Sequence, residues 1–227
     1  CFGKGESMLA EMLGDKMLRG RNPLINCTVH EGIITLHIVS SADNREKALQ
    51  MCEEEEKQLR EILGDLVYGT GDETLAEVVS KKLTSQGKTI STAESCTGGL
   101  LSKKLTDIPG SSNYFTYGWI TYSNQAKITQ LDVPSDLIEQ YGAVSEQVAK
   151  AMAQGARKKS GTDFAIAITG IAGPTGGTEQ KPVGLVYICM DYDGGCDVKQ
   201  GLFTFGREFT RLRAAHTALN MLRLRLS

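Results

Sequence analysis

The chain has 227 residues, 41% hydrophobic and 23% charged, with a formal net charge of −2. That composition fits a soluble folded protein of one large domain or two smaller ones. It gives no electrostatic push toward nucleic acid or a membrane surface, and no apolar run is long enough to span a bilayer.

No secretory leader is visible, and a start at Cys1 rather than Met predicts a piece of a longer chain. Six cysteines (Cys1, Cys27, Cys52, Cys96, Cys189, Cys196) lack C-x-x-C spacing. That argues against zinc and against a disulfide framework, and for reduced thiols in a cytoplasmic protein. The histidines His30, His37 and His216 are far apart in sequence and read as surface or packing residues.

Residues 1–70 read as a small α+β unit. Met8, Leu9, Met12, Leu13 and Met17 have helical spacing over 6–18. Leu24–His30 and Ile33–Ser40 alternate and are rich in Ile, Val and Thr, so they predict a hairpin across Glu31-Gly32. A long charged helix opens at Asp43 and ends at Gly64, with the acidic run Glu53–Glu56 on a solvated face. This segment carries eight basic and twelve acidic residues through Gly71, against seventeen and fifteen in the remainder.

From residue 71 helices and apolar strands alternate. Thr70 and Glu73 have capping-box spacing, with Leu75, Val78, Val79 and Leu83 following at helical intervals. Strands are predicted at 89–92, 115–122, 164–169, 183–190 and 198–205, the last two a hairpin across Asp193-Gly-Gly195. Helices are predicted at 100–105, 126–131, 135–141, 145–159 and 207–226. The expected fold class is α/β: a three-layer α/β/α domain with a central mixed sheet, preceded by the small α+β unit.

The run Thr92-Ala-Glu-Ser-Cys-Thr-Gly-Gly99 carries the strongest chemical signal. It turns from strand to helix, exposing a hydroxyl (Ser95) and a thiol (Cys96) beside two glycines and a helix N-terminus. Phosphate cradle, acyl-transfer nucleophile and a merely tight turn all remain open here. A serine nucleophile needs a base, and no histidine lies in a comparable loop. A desolvated lysine can serve, and Tyr122 and Lys127 in Ile120-Thr-Tyr-Ser-Asn-Gln-Ala-Lys127 are the polar groups best able to converge on Ser95. Cys96, without a histidine partner, reads as a packing residue. Thr169-Gly-Ile-Ala-Gly-Pro-Thr-Gly-Gly177 follows the most hydrophobic strand; it is neither a Walker A loop nor a dinucleotide fingerprint. Arg207 opens the last helix, where it could hold a phosphate or carboxylate. It could equally share a solvated face with Arg211, Arg213, Arg223 and Arg225.

With Gly142-Ala-Val-Ser-Glu146 and Lys181-Pro-Val-Gly184, these loops together closely resemble the nicotinamide-nucleotide amidase domain of the competence/damage-inducible CinA family. The resemblance covers 71–227, and 1–70 resemble that family's KH-like middle domain; the family's usual N-terminal domain is absent. It implies hydrolysis of nicotinamide mononucleotide to nicotinic acid mononucleotide and ammonia, without a cofactor or metal, by a cytoplasmic homodimer. It further implies Ser95 as nucleophile, Lys127 as base and Tyr122 as orienting or relay residue. Glu94, Thr97, Gly98, Gly99, Thr169, Gly170, Gly173 and Arg207 would contact substrate, with amides near Thr97 and Gly98 as the oxyanion hole and Arg207 on the phosphate.

Two other readings compete. A nucleic-acid-binding KH unit would use a Gly-x-x-Gly loop, and residues 1–70 contain none and are acidic. A scaffolding role for the front unit, holding an absent catalytic domain in a dimer, is compatible with amidase activity.

Overall fold

A two-stranded hairpin and a five-stranded sheet belong to two separate units, Cys1–Asp72 and Glu73–Ser227, in a computed structural model that describes all 227 residues. In the first unit α1 (Glu6–Leu13) is shorter than its periodicity predicts. Gly14 takes φ +50° and ends it, and a 3-10 turn continues over Gly14–Met17. Strands β1 (Leu24–His30) and β2 (Ile33–Val39) pair antiparallel across Glu31-Gly32, both at positive φ as a two-residue hairpin turn requires. Helix α2 (Arg45–Leu63) is capped by Asn44, one residue after the expected Asp43: the Asn44 side chain accepts the Lys47 N–H at 2.9 Å. Leu9, Leu13, Ile25, Ile34, Leu59 and Leu63 form the core between these elements.

The acidic run on α2 is not wholly solvated. Glu55 is buried and takes ion pairs from Lys16 and Arg21, each at 3.1 Å. Burial pushes its carboxyl pKa up, but those two partners outweigh it and hold the pKa below the usual range.

The second unit opens with α3 (Leu75–Gln86). Its capping box is Thr74 with Glu77, four residues later than the expected Thr70 and Glu73. There follow β3 (Ile90–Glu94), α4 (Leu100–Thr106), β4 (Phe115–Ile120), α5 (Asn124–Leu131), α6 (Ser135–Tyr141) and α7 (Glu146–Ser160). Strands β5 (Phe164–Gly170), β6 (Leu185–Tyr192) and β7 (Gly195–Leu202) precede α8 (Arg207–Arg225). The last two strands are displaced from their predicted positions. A two-residue turn, Asp193-Gly194, closes the hairpin, so Tyr192 pairs with Gly195.

The sheet order is β4-β3-β5-β6-β7; β4, β3 and β5 run parallel, and β6 and β7 complete it antiparallel. This is the expected three-layer α/β/α arrangement. On one face Ala93, Ala165, Ala167 and Cys189 meet Val148, Ala149, Met152, Ala153 and Ala156 of α7. The small side chains on the strands let α7 lie close to the sheet. Ile166 and Ile168, buried at the alternate positions of β5, point to the opposite face, where α8 packs with α3 and α4. Burying each such isoleucine contributes about 1.5–3 kcal/mol.

The topology places a site. From β3 the chain reaches β4 on one side through α4, and from β4 it reaches β5 on the other side through α5, α6 and α7. The loops leaving β3, β4 and β5 therefore diverge at one end of the sheet and leave a crevice there. No helix is long and apolar enough to cross a membrane.

Candidate active site

Ser95 follows the last residue of β3, and its N–H extends the ladder to the Ile168 carbonyl at 2.9 Å. The chain then turns through Cys96-Thr97-Gly98-Gly99 into α4. The Gly98 N–H donates back to the Ser95 carbonyl at 3.1 Å, and the two glycines take φ +57° and +92°. Those positive angles are what the glycines supply.

Glu94 is wholly buried beneath this turn. Its Oε2 accepts the N–H groups of Gly99 and Leu101 at 3.1 and 3.0 Å; its Oε1 accepts the Ser102 N–H at 2.8 Å and the Ser102 hydroxyl at 2.7 Å. The N-terminus of α4 is thus occupied by the protein's own carboxylate. Glu94, which the resemblance implies as a substrate contact, instead supports the turn, and of the readings left open for this turn the phosphate cradle loses its helix N-terminus. Thr97, Gly98 and Gly99 are expected from the resemblance to contact substrate. They do not line the cavity, and Thr97 is fully buried with its carbonyl accepting from Arg211 Nη2 at 2.7 Å. Arg211 therefore holds the nucleophile turn from the α8 side and is not part of a solvated face. Arg223 is likewise buried.

Lys127 approaches from α5. Ser123 caps that helix by accepting the Ala126 N–H at 3.0 Å, which places Lys127 one turn in and only 1% exposed. Its Nζ lies 2.8 Å from the Thr121 carbonyl, 3.3 Å from the Tyr122 carbonyl and 3.1 Å from Ser95 Oγ. Burial pulls its pKa down to about 8, against a slight opposing effect of the Cys96 thiol. A neutral lysine has two N–H groups and one lone pair. The two carbonyls match the two donors, leaving the lone pair for the Ser95 hydroxyl proton. Cys96 offers no rival nucleophile, because burial pushes its thiol up to about 12.

A cavity of about 350 Å³ opens above this pair. Ser95, Tyr122, Lys127, Thr169, Gly170, Gly173 and Arg207 all line it, as do Asn124 and Thr175, which the sequence reading did not single out. Asn124 lay within the motif already quoted. Its place three residues before Lys127 is the helical spacing that puts both on one face.

The family resemblance implies a part for the Tyr122 side chain in orienting or relaying at the nucleophile. Tyr122 is 61% exposed, and its hydroxyl accepts from Arg207 Nη2 at 3.4 Å; its main-chain carbonyl is what accepts from Lys127 Nζ. Arg207 Nη1 also donates to the Gly173 carbonyl at 2.9 Å. Thr169 Oγ1 donates to the Ala143 carbonyl at 2.8 Å, tying β5 to the loop before α7. Gly170 is glycine for packing, since a Cβ there would lie 2.8 Å from the Leu185 carbonyl oxygen.

Residues 72–226 match the CinA C-terminal domain, and residues 1–69 match the damage-inducible protein CinA KH domain. The chain belongs to the CinA family. A putative competence-damage inducible protein of Clostridium botulinum is 44% identical over 99% of this chain, and a CinA-like protein of Kosmotoga olearia is 46% identical over 98%. The chain spans 55% and 54% of the length of those two relatives. The crystal structure of the competence/damage inducible protein CihA from Agrobacterium tumefaciens superposes with a TM-score of 0.65 at 44% identity, covering 67% of this chain and 93% of that one. A competence or damage-inducible protein from Enterobacter asburiae gives 0.65 at 33% identity, over 69% of this chain and 100% of its own. The CinA C-terminal match takes in α3 through the whole of α8 and so includes every residue of the crevice.

Proposed function

We propose that this CinA-family chain hydrolyses the carboxamide of nicotinamide mononucleotide to nicotinic acid mononucleotide and ammonia. The observation that carries the reading is the buried pair of Lys127 Nζ and Ser95 Oγ, 3.1 Å apart at the floor of a cavity of about 350 Å³.

Neutral Lys127 takes the Ser95 proton as Oγ attacks the carboxamide carbon. The carbonyl oxygen becomes an oxyanion. The Gly98 and Gly99 amides are already committed to Ser95 and Glu94, so the donors left to it in this turn are the Cys96 and Thr97 amides. The lysine, now an ammonium, returns its proton to the departing nitrogen, and ammonia leaves. An ester to Ser95 remains. Lys127 next deprotonates a water, which attacks the ester; the acid is released and Oγ is reprotonated. Arg207 at the cavity rim supplies a fixed cation for the 5′-phosphate.

The test is ammonia release from nicotinamide mononucleotide by the parent and by Ser95→Ala. Turnover by the parent and its loss in the variant are expected. No release by the folded parent, or equal release by Ser95→Ala, sinks the proposal.

A further inference from the structure

Tyr122 faces two ways. Its main-chain carbonyl accepts from Lys127 Nζ at 3.3 Å, and its hydroxyl accepts from Arg207 Nη2 at 3.4 Å. The phenol makes no hydrogen bond to Ser95 or to Lys127 Nζ, so a proton relay through it has no connected path.

Arg207 is held by two contacts. Nη1 is on the Gly173 carbonyl at 2.9 Å and Nη2 is on Tyr122. The first turn of α8 is anchored by Thr210 Oγ1, which donates to the carbonyls of Phe203 and Gly206 at 2.8 and 2.9 Å. A guanidinium has five N–H donors, and two are spent on these contacts. The Tyr122 hydroxyl, used as an acceptor by Arg207, keeps its own proton to donate. Both residues line the same cavity as Ser95.

We propose that Tyr122 and Arg207 form one anion clamp, in which the phenol positions the guanidinium and donates its own hydrogen bond to a phosphate oxygen of the substrate. Tyr122 is on this account a specificity residue for phosphorylated amides and takes no part in proton transfer. The proposal deepens the amidase reading and rests on it for the identity of the substrate.

The readout is the ratio of kcat/KM for nicotinamide mononucleotide to that for nicotinamide riboside, which lacks the phosphate. Tyr122→Phe is expected to lower this ratio about tenfold or more through KM, the size of one hydrogen bond to a charged group. In an Arg207→Ala background the same substitution should lower it by less, because the two donors act on one group. A fall in kcat on both substrates with the ratio unmoved identifies a relay and overturns the clamp. Calorimetric titration with inorganic phosphate gives a second readout that needs no turnover. Weaker phosphate binding in both Tyr122→Phe and Arg207→Ala supports the clamp, and unchanged binding in Tyr122→Phe overturns it. A parent that binds phosphate in this way but releases no ammonia would sink the amidase reading and leave the clamp standing.

Discussion

Lys127 Nζ lies 3.1 Å from Ser95 Oγ while the same nitrogen donates to the carbonyls of Thr121 and Tyr122. Burial lowers its pKa from 10.5 to about 8. Only the neutral amine can take the serine proton. Well below that value kcat/KM should rise about tenfold per pH unit and level off above it, a limb read directly from a pH–rate profile with nicotinamide mononucleotide. Lys127→Ala should remove the limb and cost on the order of 10²–10⁴ in rate. A profile flat from pH 6 to pH 9 in the parent would exclude lysine as the base.

The same shift has a stability consequence of known sign. Between about 8 and 10.5 the unfolded chain holds a proton on Lys127 that the native chain has released. Native stability attributable to Lys127 therefore rises with pH across that window. Urea denaturation of the parent and of Lys127→Met at either end of it checks this. The parent should gain on the variant as pH rises, and a parallel or opposite trend would contradict the burial of the ammonium.

Cys96 adjoins the nucleophile, but its thiol is pushed up to about 12 by burial. At pH 8 almost none is thiolate. Cys96→Ala should retain amidase activity within a few-fold while losing about 1 kcal/mol of stability for the missing buried sulfur. Iodoacetamide at pH 8 should leave the native protein active. Inactivation that tracks alkylation of Cys96, mapped by mass spectrometry, would show that the thiol is accessible and ionised.

The strands of the large sheet were legible because Val, Ile and Ala runs such as Phe164–Thr169 have no other stable home. The loops that bring Ser95, Lys127 and Arg207 together were legible as motifs. Helix starts were less so: Thr70 and Thr74 both offer an acid three residues on, and only the folded chain selects Thr74. Glu94 was misread because a carboxylate beside a nucleophile has the chemistry of a site residue. Its burial under α4 depends on where that helix lands, which no local pattern carries. The solvated face that the sequence leaves open for Arg211 and Arg223 fails for a related reason. Helix α8 is covered on most sides, so its polar residues are drawn into the protein.

Glu94 accepts three backbone N–H groups and one hydroxyl without contact with solvent. Glu94→Ala strands those donors, and each unsatisfied group costs about 1–3 kcal/mol. A loss on the order of 3 kcal/mol or more is expected in chemical denaturation. Glu94→Gln keeps the shape but brings an NH₂ against amide donors, so an intermediate loss is expected. A Glu94→Ala protein as stable as the parent would mean that the α4 amides have another partner.

Gly155 tests how the lysine is held. It lies on α7, and a Cβ built there would be 2.0 Å from the carbonyl oxygen of Leu131, the last residue of α5. A backbone carbonyl cannot swing aside, so in Gly155→Ala helix α5 itself must move. Overpacking of this kind costs about 1–3 kcal/mol. Lys127 sits one turn earlier on the same helix, and a displacement near 1 Å at a reacting group costs about 10²-fold in rate. Gly155→Ala should therefore lose stability and kcat together. Gly161→Ala is the control: it takes φ +68° at the end of α7, and a Cβ there meets open space. It should cost about 1 kcal/mol of backbone strain and leave kcat near the parent value. Equal effects of the two substitutions on kcat would show that the close approach of α7 to α5 does not govern the position of Lys127.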